Sequence, residues 1–289
     1  MDISRMPEDW PYRTKARLIP SRPHDWYVID AGHGRTILML HGAGGSGHSF
    51  RALVPHLATQ GRLIIPDLPG QGFSRAGNRG RLGVDQMAED LWRLCATMKI
   101  HPAVIVGHSA GAAVALRMAE LAPVSAVVGI NAALGAFEGA AGVLFPLLAR
   151  ILSLTPLVPT FVSRLWGNAA TVKKLIASTG STLDAEGLAL YLALVRDAGH
   201  IDGTLGMMAQ WRLEGLSGRL PQQHTPTLLI TTAGDKVVPP RVSREAAGRM
   251  PAATVVQLKS LGHLAHEEDA ARVAAPLLEW LTRQTLAAS

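Results

Sequence analysis

The chain has 289 residues, 48% of them hydrophobic and 17% charged, which is enough apolar material for one large core or two ordinary ones. Its net charge of +6 comes from basic residues spread along the sequence without a long Lys/Arg run. That pattern argues against a nucleic-acid-binding protein and suits an anionic membrane surface or a carboxylate-bearing small molecule better. A single cysteine, Cys95, excludes an internal disulfide, and residues 1–10 hold no apolar run of the kind that opens a signal peptide. A cytoplasmic location is therefore the expectation.

Residues 1–24 carry mixed charges and several prolines and read as an irregular lead-in. Strand candidates follow at 26–29 and 36–40, separated by the turn-rich residues 30–34. A helical pattern at 50–59 precedes a strand at 62–66, and another at 84–98 precedes a strand at 103–106. A helix at 110–121 and a strand at 126–130 continue the series. Strands at 227–232 and 254–258, with helices at 241–249 and 271–286, complete it. Such alternation predicts an α/β protein with a mostly parallel sheet covered by helices on both faces.

The alternation stops between about 135 and 222, where helical periodicity persists without a convincing strand. We read 135–222 as a helical cap inserted between strands of a core made of 1–134 and 223–289. Its stretch 137–166 is unusually apolar, with Glu138, Arg150 and Arg164 as its only charges. A run of ~20 apolar residues can span a bilayer, but Pro146, Pro156, Pro159 and Arg150 interrupt this one. A lid packed on the core is the expectation, and contact with a membrane interface is the alternative.

Gly107-His108-Ser109-Ala110-Gly111 lies at the junction of a buried strand and a helix. Gly-x-Ser-x-Gly in that setting forms a nucleophile elbow, which lifts the Ser109 hydroxyl clear of the sheet beside a helix N-terminus. A serine hydroxyl needs a base within hydrogen-bond reach, itself held by a third group. Asp235 follows the strand at 227–232, and His263 follows the one at 254–258, after Gly262. All three fall at C-terminal strand ends, the edge where open α/β sheets bind ligands. Ser109, Asp235 and His263 are accordingly the expected triad. His266 competes with His263 but reads as the start of a helix, and Asn131, at another strand end, cannot carry the acid's charge. The pair His263 and His266 fits neither helical zinc motif, so no metal is expected.

The Gly-rich run Leu40-His41-Gly42-Ala43-Gly44-Gly45 offers backbone N–H groups for an oxyanion hole, at Ala43 or Gly44, with Ala110 as the second donor. A phosphate loop would need Gly-Lys-Ser/Thr, and Gly45-Ser46-Gly47-His48 lacks the lysine. No cofactor is expected. His41 reads as a brace for the loop at the edge of the substrate site, and His108 as part of the elbow.

The elbow, the His41-Gly42 loop, the Pro66-Asp67-Leu68-Pro69-Gly70 turn, Gly234-Asp235 and Gly262-His263 together resemble the α/β-hydrolase superfamily over almost the whole chain. Gly107-His108-Ser109-Ala110-Gly111-Ala112-Ala113, Thr179-Gly180-Ser181-Thr182-Leu183-Asp184, Met207-Met208-Ala209-Gln210-Trp211 and Gly262-His263-Leu264-Ala265-His266 resemble a narrower group. These are the α/β hydrolases encoded with bacteriochlorophyll biosynthesis genes and described as magnesium-chelatase accessory proteins. The resemblance implies an α/β-hydrolase fold and involvement with a magnesium tetrapyrrole, without supplying a reaction. Phe137, Phe145, Trp166, Tyr191, Met207, Met208 and Trp211 are then candidate contacts for broad apolar faces, and Arg75, Arg79 and Arg81 for a propionate. Three functions stay open. The first is a serine hydrolase acting on an ester of a bulky apolar substrate such as a porphyrin. The second is a non-catalytic tetrapyrrole-binding partner of magnesium chelatase, at the inner membrane periphery or free of it. The third is a general carboxylesterase or carbon–carbon hydrolase. Epoxide hydrolases and dehalogenases typically place Asp where Ser109 stands.

Overall fold

The computed structural model describes residues 1–135 and 158–288, so Phe137, Phe145 and the prolines 146 and 156 lie outside the described residues. Eight strands form one sheet: β1 (Ala16–Ser21), β2 (His24–Ala31), β3 (Thr36–Leu40), β4 (Arg62–Pro66), β5 (Val104–His108), β6 (Ala126–Ile130), β7 (Thr227–Thr232) and β8 (Ala253–Leu258). Their order is β1-β2-β4-β3-β5-β6-β7-β8. The pairs from β4 through β8 are parallel, while β1 and β2 join antiparallel at one edge.

Every residue of β5, β6 and β7 is buried, as their unbroken apolar runs require for strands covered on both sides. Period-two alternation divides β3 between two cores: Ile37 and Met39 enter one, Leu38 and Leu40 the other. Helices α1 (Val54–Leu57), α2 (Val84–Thr97) and α3 (Ala110–Leu121) follow β3, β4 and β5. Leu57 of α1 packs in the first core, and Leu91 of α2 and Leu116 of α3 in the second.

Two departures from the sequence reading have local causes. β1 falls inside the expected irregular lead-in, because Ala16–Ser21 is an edge strand with Leu18 46% exposed and Pro20 in its run. An edge strand has one neighbour, so it tolerates proline and lacks a clean apolar face. The helix expected over 50–59 is a 3-10 turn, Gly47–Phe50, followed by the short α1.

Between β6 and β7 the described residues hold five helices and no strand: α4 (Val158–Trp166), α5 (Ala169–Ser178), α6 (Ala185–Val195), α7 (Ala198–Ala209) and α8 (Glu214–Arg219). Asn168, Asp184 and Asp197 cap the starts of α5, α6 and α7, each side chain accepting from the N–H three residues on. After β7 come α9 (Pro240–Ala247), then, beyond β8, α10 (Ala265–Glu268) and α11 (Ala270–Ala288). No described helix is long and apolar enough to cross a membrane.

Candidate active site

The turn from β5 into α3 is as tight as glycine allows. A Cβ on Gly107 would lie 2.4 Å from the Ala112 backbone, and one on Gly111 would lie 2.1 Å from the Leu40 carbonyl oxygen. Ser109 sits at the apex with φ 50° and ψ −115°, a conformation a side-chain-bearing residue holds only when its surroundings impose it. Here its N–H donates to the Ile130 carbonyl at 2.9 Å, and its own carbonyl accepts from Ala112 and Ala133, each at 3.1 Å.

Asp235 stands just past β7 and is fully engaged. Oδ1 accepts from the N–H groups of Val237 and Val238 at 2.7 and 2.9 Å, and Oδ2 pairs with His263 Nδ1 at 2.7 Å. An ionised carboxylate only accepts, so the proton belongs on Nδ1 and the Nε2 lone pair of His263 is left free. The loop carrying His263 is pinned through its carbonyls. Asn131 Nδ2 donates to Gly262 O and His263 O, His108 Nε2 donates to His263 O at 2.9 Å, and Thr232 Oγ1 donates to Gly262 O at 2.9 Å. Asn131 therefore anchors the imidazole loop, a role for which its amide N–H suits it and a carboxylate would not.

Ser109 and His263 line one cavity of about 410 Å³ together with Gly42, Ala43, Tyr191 and the aliphatic side chains Val172, Leu175, Ile176, Val195 and Ile201. Among the described residues no Asp, Glu, Lys or Arg lines it. No hydrogen bond joins the Ser109 hydroxyl to the His263 ring in this structure; unliganded sites often keep that contact long until substrate is bound. His266 is not held by an acid. It is buried on α10 against His108, ring centroids 4.4 Å apart, with no hydrogen bond to either ring nitrogen.

Of the two candidate donors on the loop after β3, one is already engaged. Gly44 N–H donates to Gln71 Oε1 at 2.7 Å and Gly45 N–H to Gly42 O at 3.1 Å. Gly44 is therefore corrected as an oxyanion donor. The N–H groups of Ala43 and Ala110 make no hydrogen bond among the described residues. His41 is fully buried and does not line the cavity. Its Nδ1 donates to Gly42 O and its Nε2 accepts from Leu68 N–H, both at 2.8 Å, and burial pushes its pKa down to about 4. It braces the loop as a neutral ring.

Of the expected substrate contacts that fall among the described residues, Tyr191 alone reaches the cavity. Met207 and Trp211 are packed in the second core, Met208 does not line the cavity, and Trp166 is 45% exposed at the end of α4. Large apolar residues on an inserted helix were consumed by packing, which sequence spacing does not distinguish from pocket lining. The arginines are also elsewhere: Arg79 pairs with Asp202, Arg81 with Glu89 and Asp90, and Arg75 bonds through its backbone to Asp25. The missed lining residues Val172 and Ile176 on α5 recur at i, i+4 spacing, as do Tyr191 and the missed Val195 on α6, a signal shared by every buried helix face. Among the described residues, no three His, Cys, Asp or Glu side chains converge as metal ligands.

A strand–elbow–helix apex, an acid-held imidazole and a mostly parallel sheet define an α/β-hydrolase architecture. Residues 35–270 match the family model of the alpha/beta hydrolase fold, and the chain belongs to that family. Over 283 residues it is 47% identical to the magnesium-chelatase 30 kDa subunit of Rhodobacter capsulatus, covering 97% of this chain and 99% of that one. It is 26% identical over 275 residues to a 2-hydroxymuconate semialdehyde hydrolase of Pseudomonas sp. strain CF600, covering 90% and 91% of the two chains. An esterase from Exiguobacterium antarcticum superposes with a TM-score of 0.76 at 20% identity, over 92% of this chain and 98% of the esterase.

Proposed function

We propose that this protein is a serine hydrolase that cleaves an ester of a bulky apolar substrate, with 1–134 and 223–289 as the catalytic core and 135–222 as its cap. The observation that carries the reading is the 2.7 Å pairing of His263 Nδ1 with Asp235, on the wall of the cavity that Ser109 also lines. In the reaction, His263 Nε2 takes the Ser109 proton as Oγ attacks the ester carbonyl, and the N–H groups of Ala43 and Ala110 hold the oxyanion. The imidazolium, stabilised by Asp235, then protonates the departing alcohol. Water, deprotonated by the same ring, hydrolyses the acyl-enzyme and releases the acid. The absence of charged side chains from the lining among the described residues favours a neutral ester over a free carboxylate, which those residues would desolvate without a partner. The likeness to a chelatase subunit makes an ester arm of a magnesium tetrapyrrole in bacteriochlorophyll biosynthesis the substrate to test first.

A fluorophosphonate probe tests the chemistry directly. Stoichiometric labelling at Ser109, abolished in His263→Ala, is the expected result. The second reading is a tetrapyrrole-binding accessory of magnesium chelatase that performs no hydrolysis, favoured by the name of that same relative. Folded protein that stays unlabelled yet binds a magnesium porphyrin at micromolar concentration would establish it. Porphyrin methyl esters compared with short-chain p-nitrophenyl esters then divide a dedicated esterase from a general one.

Peripheral contact with an anionic membrane belongs to the same proposal. Phe161, Leu165 and Trp166 on α4 are 66%, 57% and 45% exposed, and the neighbouring helix α5 exposes Lys173 and Lys174. Aromatic and aliphatic side chains beside cations suit a negatively charged headgroup layer. The protein is expected to sediment with phosphatidylglycerol vesicles and not with phosphatidylcholine vesicles. Phe161→Ser combined with Trp166→Ser should abolish that binding, and equal sedimentation of the variant would refute the contact.

A further inference from the structure

The described residues inserted between β6 and β7 hydrogen-bond to the loops that carry Asp235, His263 and the proposed oxyanion donor. The Thr179 carbonyl accepts from Lys236 N–H at 3.1 Å and from His263 N–H at 3.3 Å. One oxygen thus bridges the acid loop and the imidazole loop. Two residues on, Ser181 Oγ accepts from Leu264 N–H at 2.8 Å. Between them Gly180, with φ +86°, lies so close that a Cβ there would stand 2.0 Å from Gly234 O, and one on Gly262 would stand 2.3 Å from the Gly180 carbonyl carbon. These N–H groups emerge past the ends of β7 and β8, where no further strand residue is available to accept them.

A second clamp closes on the oxyanion loop. His200 of α7 is 2% exposed; its Nδ1 accepts from Gly72 N–H at 3.0 Å and its Nε2 donates to Gly44 O at 3.2 Å. Gln71 holds the N–H of the same Gly44, so this residue is fixed from both sides beside the unbonded N–H of Ala43. Gly203, one turn along α7, approaches Gly70 so closely that a Cβ would lie 2.0 Å from the Gly70 oxygen. The helix is seated backbone against backbone.

We propose that Thr179–Ser181 and His200 are positioning residues: the first clamp sets the Asp235 and His263 loops in register, and the second sets the oxyanion donor. In this view the described part of the insertion stays seated through turnover, and the catalytic edge of the core is incomplete without it. The proposal rests on the serine-hydrolase reading, and its two halves predict different defects. Loss of the first clamp disturbs the His–Asp pair. Loss of the second leaves that pair intact and weakens oxyanion stabilisation alone.

The test uses the full chain, a fluorophosphonate probe with kinact and KI measured separately, and the downfield proton resonance of the His263 Nδ1–H bonded to Asp235. Ser181→Ala is expected to lower kinact about 10- to 100-fold with KI within about twofold, consistent with the cost of small misplacements, and to weaken the downfield resonance. Ser181→Thr, which keeps the acceptor, should restore both. His200→Ala is expected to lower kinact about 100-fold, the scale of one lost oxyanion donor, with the resonance unchanged. Should His200→Ala fail to fold, His200→Asn keeps an acceptor for Gly72 and loses the donor to Gly44. Folded variants with wild-type kinact and resonance overturn the proposal, as does a His200 variant that loses the resonance together with activity. A wild-type protein that never labels refutes the hydrolase reading instead, and the response of the resonance to Ser181→Ala still decides the first clamp.

Discussion

Ser109→Ala is expected to reduce turnover of an ester substrate by about 10⁶-fold, with His263→Ala causing a similar loss and the double variant little more, because the members of such a set act as a unit. Asp235→Asn should cost about 10⁴-fold, since the amide favours the wrong tautomer of the ring it holds. His266→Phe should leave activity within a few-fold of wild type, because no acid holds that ring and it does not line the cavity. Steady-state kinetics on an ester that the wild type cleaves, with circular dichroism to confirm folding, checks all five variants. A Ser109→Ala protein retaining more than about a tenth of wild-type turnover would remove Ser109 from the mechanism.

Acid is expected to unfold this protein far more steeply than an average domain. Burial pushes the pKa of His41 down to about 4 and those of His200 and His266 down to about 3, and it holds His48 and His108 well below the usual histidine value. A base whose folded pKa is depressed binds its proton on unfolding, so each of these rings withdraws stability as pH falls below about 6.5. Two buried carboxyls act in the opposite sense. Burial raises Asp67 to about 6 and Glu267 to about 7, so the folded state binds their protons first and they add stability on acidification. Burial also lowers the pKa of His24, so between about pH 6 and 4.5 more rings take up protons on unfolding than the two carboxyls release. Each proton of net uptake lowers the unfolding free energy by about 1.4 kcal/mol per pH unit, against a total of about 5–15 kcal/mol. Urea midpoints at pH 7.5 and 5.0 should differ widely, and His266→Phe should flatten the slope by about one proton. Equal midpoints would mean that these rings are protonated in the folded protein.

The residues proposed as a triad were legible before folding was considered. The Gly-x-Ser-x-Gly run needs only its flanking strand and helix to be recognised, Asp235 follows a fully buried strand, and His263 follows a Gly after the shorter apolar stretch of β8. β1 was not legible, because an edge strand with Pro20 lacks the pattern that marks a buried one. The oxyanion donor was narrowed to Ala43 or Gly44 and no further. Gln71, 27 residues away in sequence, is what occupies Gly44 N–H.

The amino-acid order by itself determined the alternating elements, the covered sheet and the residue types at its C-terminal edge. These depend on short-range periodicity, turn chemistry and the burial of contiguous apolar runs, all of which act within a few residues of one another. Tertiary structure alone decided that Gln71 occupies the Gly44 N–H, that Met207 and Trp211 fill core while Val172 and Ile176 line the cavity, and that Thr179 bridges the Asp235 and His263 loops. Each of those outcomes is a contact between segments distant in the chain, and which partner a side chain or N–H finds is set by the packing of the whole edge.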